Sequence, residues 1–323
     1  MRVVFFGSPE YAVPSLRALL ALPEAEVVAV VTQPDRPRGR SGRRALTPVK
    51  ALSLEAGIAE ILQPERVHAD TTERLRALAP EVGVVAASGH ILPTHLLEAF
   101  PRDVLNVHAS LLPRHRGASP VAAAILAGDA ESGATIMRVV REVDAGPVLG
   151  QVRTAIGPLD TTGALTERIA ELGASLLLEL LPRWGRGEIR AEPQDEALVT
   201  YAPRLAKEDG EIDWTLSAEA IARRVRAFQP WPLATTRYAG EALTVHEAWP
   251  LASRGGAPPG TVFAGDGAAL TPLLPGRTAR AVVACGEGSL ALLRVQRAGR
   301  RAVAIEAFLN GDPALVGARL GAG

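Results

Sequence analysis

Five short runs in the first 140 residues are apolar along nearly their whole length, and this constrains the fold more than any other feature. Val3-Val4-Phe5-Phe6 stops at Gly7; Val27 to Val31, Val82 to Ala87, Val104 to Val107 and Thr135 to Val140 follow. A strand with one wet face alternates apolar and polar residues, whereas a continuous apolar run must be covered on both faces. Amphipathic stretches separate these runs. Val13 to Leu22 and Thr47 to Ala56 carry apolar residues at helical spacing, and Pro14 fits a first helical turn. Doubly buried strands alternating with helices predict an α/β fold with a doubly wound, mostly parallel, Rossmann-like sheet. Leu165 to Leu181 reads as a long amphipathic helix that closes this part.

The pattern then changes. Trp184 to Pro203 is polar and mixed, with Gly185, Gly187, Pro193 and Pro203, and reads as a linker over the surface. Leu216 to Phe228 is helical. After it come short strand-like pieces: Thr235 to Tyr238, Leu243 to Ala248, Gly260 to Phe263, Ala281 to Ala284 and Leu290 to Val295. Gly and Pro punctuate them, as in a small C-terminal β-barrel of the OB-like kind. The expected organisation is a catalytic domain over 1–189, a linker over 190–205 and a β-barrel domain over 206–323.

Composition narrows the function classes. There is one cysteine, Cys285, which excludes an internal disulfide and any multi-cysteine zinc or iron–sulfur site. The spacing of His90, His95, His108 and His115 fits no compact metal motif, so no metal is expected. No apolar stretch is long enough for a membrane helix, and the N-terminus lacks a signal-peptide pattern, so the expected location is cytoplasmic. The 35 basic and 35 acidic residues cancel, which at face value argues against a nucleic-acid partner. The cancellation is an average over opposed blocks. Residues 51–100 carry −4 and residues 151–200 carry −3, while residues 36–50 carry +6 and residues 214–323 carry +5. Only Lys50 and Lys207 are lysine, so the cationic groups are almost all arginine, whose planar fork suits phosphate. Segment 36–50 holds Arg36, Arg38, Arg40, Arg43, Arg44 and Lys50 with no acid between them, and Gly39, Ser41 and Gly42 loosen it. It reads as a functional basic loop, the alternative being a solvated charged surface.

Two candidate sites stand at strand ends, where open α/β sheets collect ligands. The first is the turn Phe6-Gly7-Ser8-Pro9-Glu10. It has one glycine where a dinucleotide fingerprint needs three, and Pro9 removes a backbone donor, so a nicotinamide cofactor is not expected. A tight strand-to-helix turn and a direct ligand contact remain equally open. The second is Asn106-Val107-His108, where a period of two puts the amide and the imidazole on one face. An amide N–H can donate to a developing oxyanion, and an imidazole can move a proton near neutral pH. Asp144, in the loop after Thr135 to Val140, could orient the ring. A buried histidine and asparagine that merely satisfy loop backbone fit the same spacing. The loop after His108 adds Arg114 and Arg116, able to meet an anionic ligand or simply to be solvated.

Asn106-Val107-His108-Ala109-Ser110-Leu111-Leu112-Pro113-Arg114-His115-Arg116-Gly117, with Asp144 downstream, is similar to the signature of formyl-folate transferases. Four further stretches extend the likeness over nearly the whole chain: Phe6 to Ala12; Thr32-Gln33-Pro34-Asp35-Arg36-Pro37; Tyr201-Ala202-Pro203; and Ile212-Asp213-Trp214 with Arg226 to Pro232. Taken together the chain resembles the methionyl-tRNA formyltransferase family. That resemblance implies transfer of a formyl group from 10-formyltetrahydrofolate to the α-amino group of methionyl initiator tRNA, by a monomer. It implies a catalytic trio of Asn106, His108 and Asp144, and a folate site lined by Ser110, Leu111, Leu112, Pro113, Ser88, Gly89 and Ile91. It assigns Arg36, Arg38, Arg40, Arg43, Arg44 and Lys50 to the acceptor arm of the tRNA, with the basic C-terminal domain as a second contact. The family usually carries an aromatic residue where Ser88 and His115 stand, which puts a stacking contact at Ser88 in question. A formyltransferase for an amino sugar nucleotide is the alternative; it would share the trio but have less need of the basic loop.

Overall fold

A computed structural model describes residues 1–37, 44–252 and 257–321. The chain divides into two compact units. The first comprises Met1–Pro120, Ala130–Ala155 and Leu165–Pro203; the second comprises Val121–Asp129, Ile156–Ala164 and Arg204–Gly323.

The first unit is built on seven strands: β1 (Arg2–Gly7), β2 (Glu26–Val31), β3 (Ile61–Leu62), β4 (Val82–Ala86), β5 (Val104–His108), β6 (Glu131–Arg138) and β7 (Val148–Ala155). Their order is β7-β6-β5-β4-β1-β2-β3. The first five strands in sequence run parallel, whereas β6 is antiparallel to both β5 and β7. The expected doubly buried runs are the sheet's centre. Val3, Phe5, Val84, Leu105 and Val107 enter one core with Leu16, Leu19, Leu177 and Leu181, while Val4, Phe6, Ala29, Val31 and Val104 enter another with Leu75 and Leu96. Helices α1 (Val13–Ala21), α2 (Pro48–Glu55) and α6 (Thr162–Gly185) supply the first cover, and α3 (Ala69–Arg76) and α4 (Thr94–Leu97) the second. Helix α5 (Pro120–Ala127) follows the loop after β5, and from Val121 onward it belongs to the second unit. Thr47 caps α2, its hydroxyl accepting from the Lys50 N–H at 3.1 Å with Pro48 at the first position.

Several elements have no counterpart in the sequence expectation, among them β3, α3, α4 and β7. β7 alternates too weakly in hydrophobicity to stand out, being half-buried at the edge of the sheet. β3 is only two residues long.

The second unit is a six-stranded antiparallel sheet of order β8-β9-β12-β11-β10, from β8 (Ala234–Tyr238), β9 (Glu241–Leu251), β10 (Val262–Ala264), β11 (Ala281–Ala284) and β12 (Ser289–Arg297), with Val303–Ala304 paired to β12. Irregularities beside Glu247 interrupt the register of the long strand β9, a device that bends a sheet. Helix α7 (Ala218–Ala227), capped by Ser217, buries Ile221, Ala222 and Val225 against Val245, Leu292 and Val295. Trp214 is buried here and donates to Thr236 Oγ1 at 3.0 Å, whereas Trp231 is 53% exposed. Cys285 is wholly buried in this core. Several of the unit's arginines are engaged internally. Arg277 and Arg294 pair with Glu247, and Arg297 pairs with Asp312 while lying over the rings of Tyr238 and Phe308. Arg237, Arg280, Arg300 and Arg301 are exposed.

Candidate active site

Asn106 and His108 lie on the face of β5 opposite Leu105 and Val107, which are sunk in a core. The ladder fixes Asn106 from both sides, opposite Val85 on β4 and Met137 on β6, and His108 from one side, opposite Thr135. Tyr11 adds a tether, donating from its hydroxyl to the Val107 carbonyl at 3.2 Å. Burial of that phenol pushes its pKa well above the ordinary tyrosine value.

Asp144 arrives by a route the sequence did not disclose. Because β6 runs antiparallel, its C-terminal end lies beside Leu105, at the far end of β5 from His108. The connection to β7 then doubles back, with Arg138 N–H bonding to Pro147 O at 2.9 Å. Gly146 permits this: a Cβ there would sit 1.8 Å from the Arg138 carbonyl oxygen. Asp144 itself takes a left-handed backbone, φ 50°. Its carboxylate faces three groups. Oδ1 accepts from Asn106 Nδ2 at 3.4 Å, Oδ2 accepts from the Gly117 N–H at 2.9 Å, and Oδ2 stands 3.6 Å from His108 Nδ1.

The imidazole of His108 is only 6% exposed, and its Nε2 lies 3.1 Å from the His115 carbonyl oxygen. A carbonyl only accepts, so Nε2 carries the proton. Nδ1 is thus the nitrogen that faces the Asp144 carboxylate. Of the two Asn106 amide hydrogens, one is directed at Asp144, and the second remains for a ligand oxygen.

The loop from Ser110 to Gly117 is clipped down at many points. Thr135 Oγ1 donates to Ser110 O at 2.6 Å and accepts from the Leu112 N–H at 3.1 Å. Gln151 donates to Leu112 O at 2.7 Å, and Ser110 Oγ donates to Arg114 O at 2.7 Å. The bond between Leu112 and Pro113 is cis. On its outer side the loop pairs with the stretch expected to cross the surface as a linker: Arg116–Gly117 forms a short parallel ladder with Tyr201–Ala202, and Thr200 receives the N–H groups of His115 and Arg116. Arg116, which could have met an anionic ligand, is 3% exposed and turned inward onto Gln194 and Glu196.

The formyl transferase family model matches residues 1–181, and the model of its C-terminal domain matches residues 204–313. A methionyl-tRNA formyltransferase of Methylococcus capsulatus is 46% identical over 99% of this chain and 100% of its own length. The chain belongs to the methionyl-tRNA formyltransferase family. Its fold is also that of more distant proteins. The sugar 3-N-formyltransferase WlaRD, crystallised with dTDP and 5-N-formyl-tetrahydrofolate, superposes with a TM-score of 0.64 at 16% identity, over 93% of this chain and 99% of that one. HypX from Aquifex aeolicus, in complex with tetrahydrofolic acid, gives 0.59 at 19% identity, over 96% of this chain and 47% of that one.

Within a member of this family, the expected folate residues fall on two loops that leave the neighbouring parallel strands β4 and β5. Ser110 and Leu112 are buried, and Leu111 and Pro113 are half-buried. On the other loop Ser88 is buried and Gly89 is exposed; Ser88 Oγ lies 3.1 Å from His90 Nδ1, whose Nε2 meets Pro64 O at 2.9 Å. His115, at the second position where the family usually has an aromatic, is buried with φ 59°. Ile91 is 89% exposed. At the turn after β1, Ser8 Oγ donates to Ser88 O at 3.1 Å and accepts from Gln33 N at 3.0 Å, tying three loops together.

Of the basic loop, Arg38, Arg40 and Arg43 lie outside the described residues. Arg36–Pro37 pairs antiparallel with Arg44–Ala45, and Arg36 is exposed. Lys50 behaves differently: its ammonium is 2.5 Å from Asp35 Oδ2, and Gln63 donates to the other oxygen at 2.8 Å. Asp35, the acid that neutralises Lys50, directly precedes the +6 segment. Among the described residues no group of three His, Cys, Asp or Glu side chains is placed to hold a metal, and no helix is long and apolar enough to cross a membrane.

Sequence reasoning missed Thr135, Gln151, Tyr11 and Gln194. All four act on backbone groups of residues far away in sequence, so no local pattern marks them.

Proposed function

We propose that this protein transfers a formyl group from 10-formyltetrahydrofolate to the α-amino group of methionyl initiator tRNA, giving N-formylmethionyl-tRNA, and that Asn106, His108 and Asp144 carry the chemistry. The observation that supports these roles above others is the Asp144 carboxylate, which lies within 3.6 Å of both the Asn106 amide and the His108 ring in a chain of this family. The neutral amine attacks the formyl carbon and a tetrahedral oxyanion forms. The remaining Asn106 N–H donates to it. The His108–Asp144 pair takes the proton that the attacking nitrogen sheds and delivers it to N10 of the folate as the carbon–nitrogen bond breaks. Ser110 to Pro113, with Ser88, Gly89 and Ile91, line the folate site. The protein works as a cytoplasmic monomer.

Arg36, Arg38, Arg40, Arg43 and Arg44 meet the acceptor arm of the tRNA, while Lys50 acts through Asp35 to fix the base of the loop. Affinity for the tRNA then falls by about 0.7–0.9 log units per log unit of salt for each phosphate contact. Titration between low and moderate salt checks this, and a flat response removes the electrostatic contact. The decisive assay follows labelled formyl from 10-formyltetrahydrofolate onto charged initiator tRNA, charged elongator tRNA and an amino sugar nucleotide. Label on the initiator tRNA alone is expected; label on the sugar nucleotide in its place overturns the reading.

A further inference from the structure

We infer that Gln194 is a positioning residue for the transfer reaction, a staple that sets the Asp144 turn against the loop carrying Gly117; this rests on the catalytic role proposed for Asp144. Gln194 lies in the polar stretch between α6 and the second unit, 50 residues from Asp144 in sequence. Its amide nitrogen donates to Asp144 O at 2.8 Å and to Gly146 O at 2.7 Å. Its amide oxygen accepts from Arg116 Nε at 3.0 Å and Nη2 at 2.9 Å. One side chain therefore bonds the turn on one side and the loop on the other.

The geometry singles out glutamine. Two carbonyls and two guanidinium hydrogens require two donors on one atom and an acceptor on the other, which a primary amide offers and a carboxylate does not. The Asp144 turn has left-handed backbone and no strand partner at Asp144 itself, so its position depends on bonds of this kind. Arg116 is held from its far side by Glu196 at 2.8 Å, which makes it a fixed post. The next residue, Gly117, supplies the N–H that aims Asp144 Oδ2. Backbone and carboxylate of Asp144 are thus located relative to the same two residues.

The test is Gln194→Glu, nearly isosteric and still able to pair with Arg116, but with no donor for the two carbonyls. With initiator tRNA saturating, kcat is expected to fall about 10- to 100-fold, the scale of a small misplacement of a reacting group. The KM for 10-formyltetrahydrofolate should move less than about threefold, because the loop stays paired. Asp195→Ala serves as the control. Asp195 Oδ1 accepts from the Ala197 N–H at 3.0 Å and makes the neighbouring turn, so its loss loosens the same stretch without removing the staple. Asp195→Ala should keep kcat. An Asp195→Ala loss equal to that of Gln194→Glu, or a Gln194→Glu enzyme of unchanged kcat, overturns the proposal. Asp144→Asn is run alongside. If it falls steeply while Gln194→Glu does not, the staple alone is wrong; if Asp144→Asn retains full turnover, the catalytic reading fails and the staple with it.

Discussion

Asn106 and His108 are held by a strand; Asp144 is held by a turn. The first pair sits on β5, flanked by β4 and β6, so backbone ladders locate both side chains before any side-chain bond forms. Asp144 has a left-handed backbone in a connection that doubles back over its own strand, and side-chain bonds from Asn106, Gln194 and the Gly117 backbone locate it. The strand gives rigidity at no cost in special residues. The turn needs glycines at 117 and 146 and a glutamine from a remote segment. A three-residue site can therefore carry two unequal tolerances to mutation, wide around the strand and narrow around the turn.

The comparison can be broken at several points. The largest effect belongs to the chemistry itself: Asn106→Ala should cost about 10² to 10³ in kcat through loss of the oxyanion donor, with little change in folding. Turnover within threefold of the parent sinks the role. Gly117→Ala attacks the turn side. Residue 117 has φ +122° and a Cβ there would lie 2.5 Å from the Ala202 carbonyl oxygen, so the loop must part from its partner strand. We expect a loss of about 1–3 kcal/mol in stability together with a fall in kcat, read by thermal unfolding and steady-state kinetics. An alanine variant as active and stable as the parent shows that the turn does not depend on that N–H.

Thr135→Val lies between the two regimes, since Thr135 is on a strand yet bonds the loop. It leaves the Ser110 carbonyl and the Leu112 N–H without their hydroxyl partner, a penalty of about 1–3 kcal/mol. The KM for folate should rise more than kcat falls; the reverse split means the loop serves the trio and not the folate. The smallest effect sharpens the strand side. Tyr11→Phe removes the bond to Val107 O and should cost about 1 kcal/mol of stability while kcat stays put, because the ladders still fix residues 106 and 108. A clear drop in kcat means the strand is less self-sufficient than it looks.

What was legible in the sequence follows the same division. Asn106 and His108 announced themselves, since a period of two on an apolar strand leaves no choice of face. The sheet centre was legible for the same reason: Val3 to Phe6 and Val82 to Ala86 can only be doubly covered. Asp144 was picked out as following a strand, but the antiparallel direction of β6 and the return over it depend on long-range pairing that no local period encodes. β7 escaped for want of an apolar run, and Gln194 because a polar residue in a polar stretch looks like any other. The basic loop was legible as a charge excess but not as a set of partners, and Lys50 found Asp35 just beyond the counted window.

The sheet's outer margins carry one more consequence. A row of unpaired backbone groups is an invitation to a strand from a neighbouring molecule. Here β3, at one margin, is too short to seat a visitor. At the other margin Glu192 bonds Val148 through both of its backbone groups, at 2.7 and 2.8 Å, and closes the start of β7; farther along, Arg153 holds a charge in solvent. A chain seeking to pair along the start of β7 would have to unseat the stretch that also carries Gln194. An event that frees the start of this margin therefore also loosens the stretch that supports the Asp144 turn, so opening there should be felt as a loss of turnover as the protein is heated.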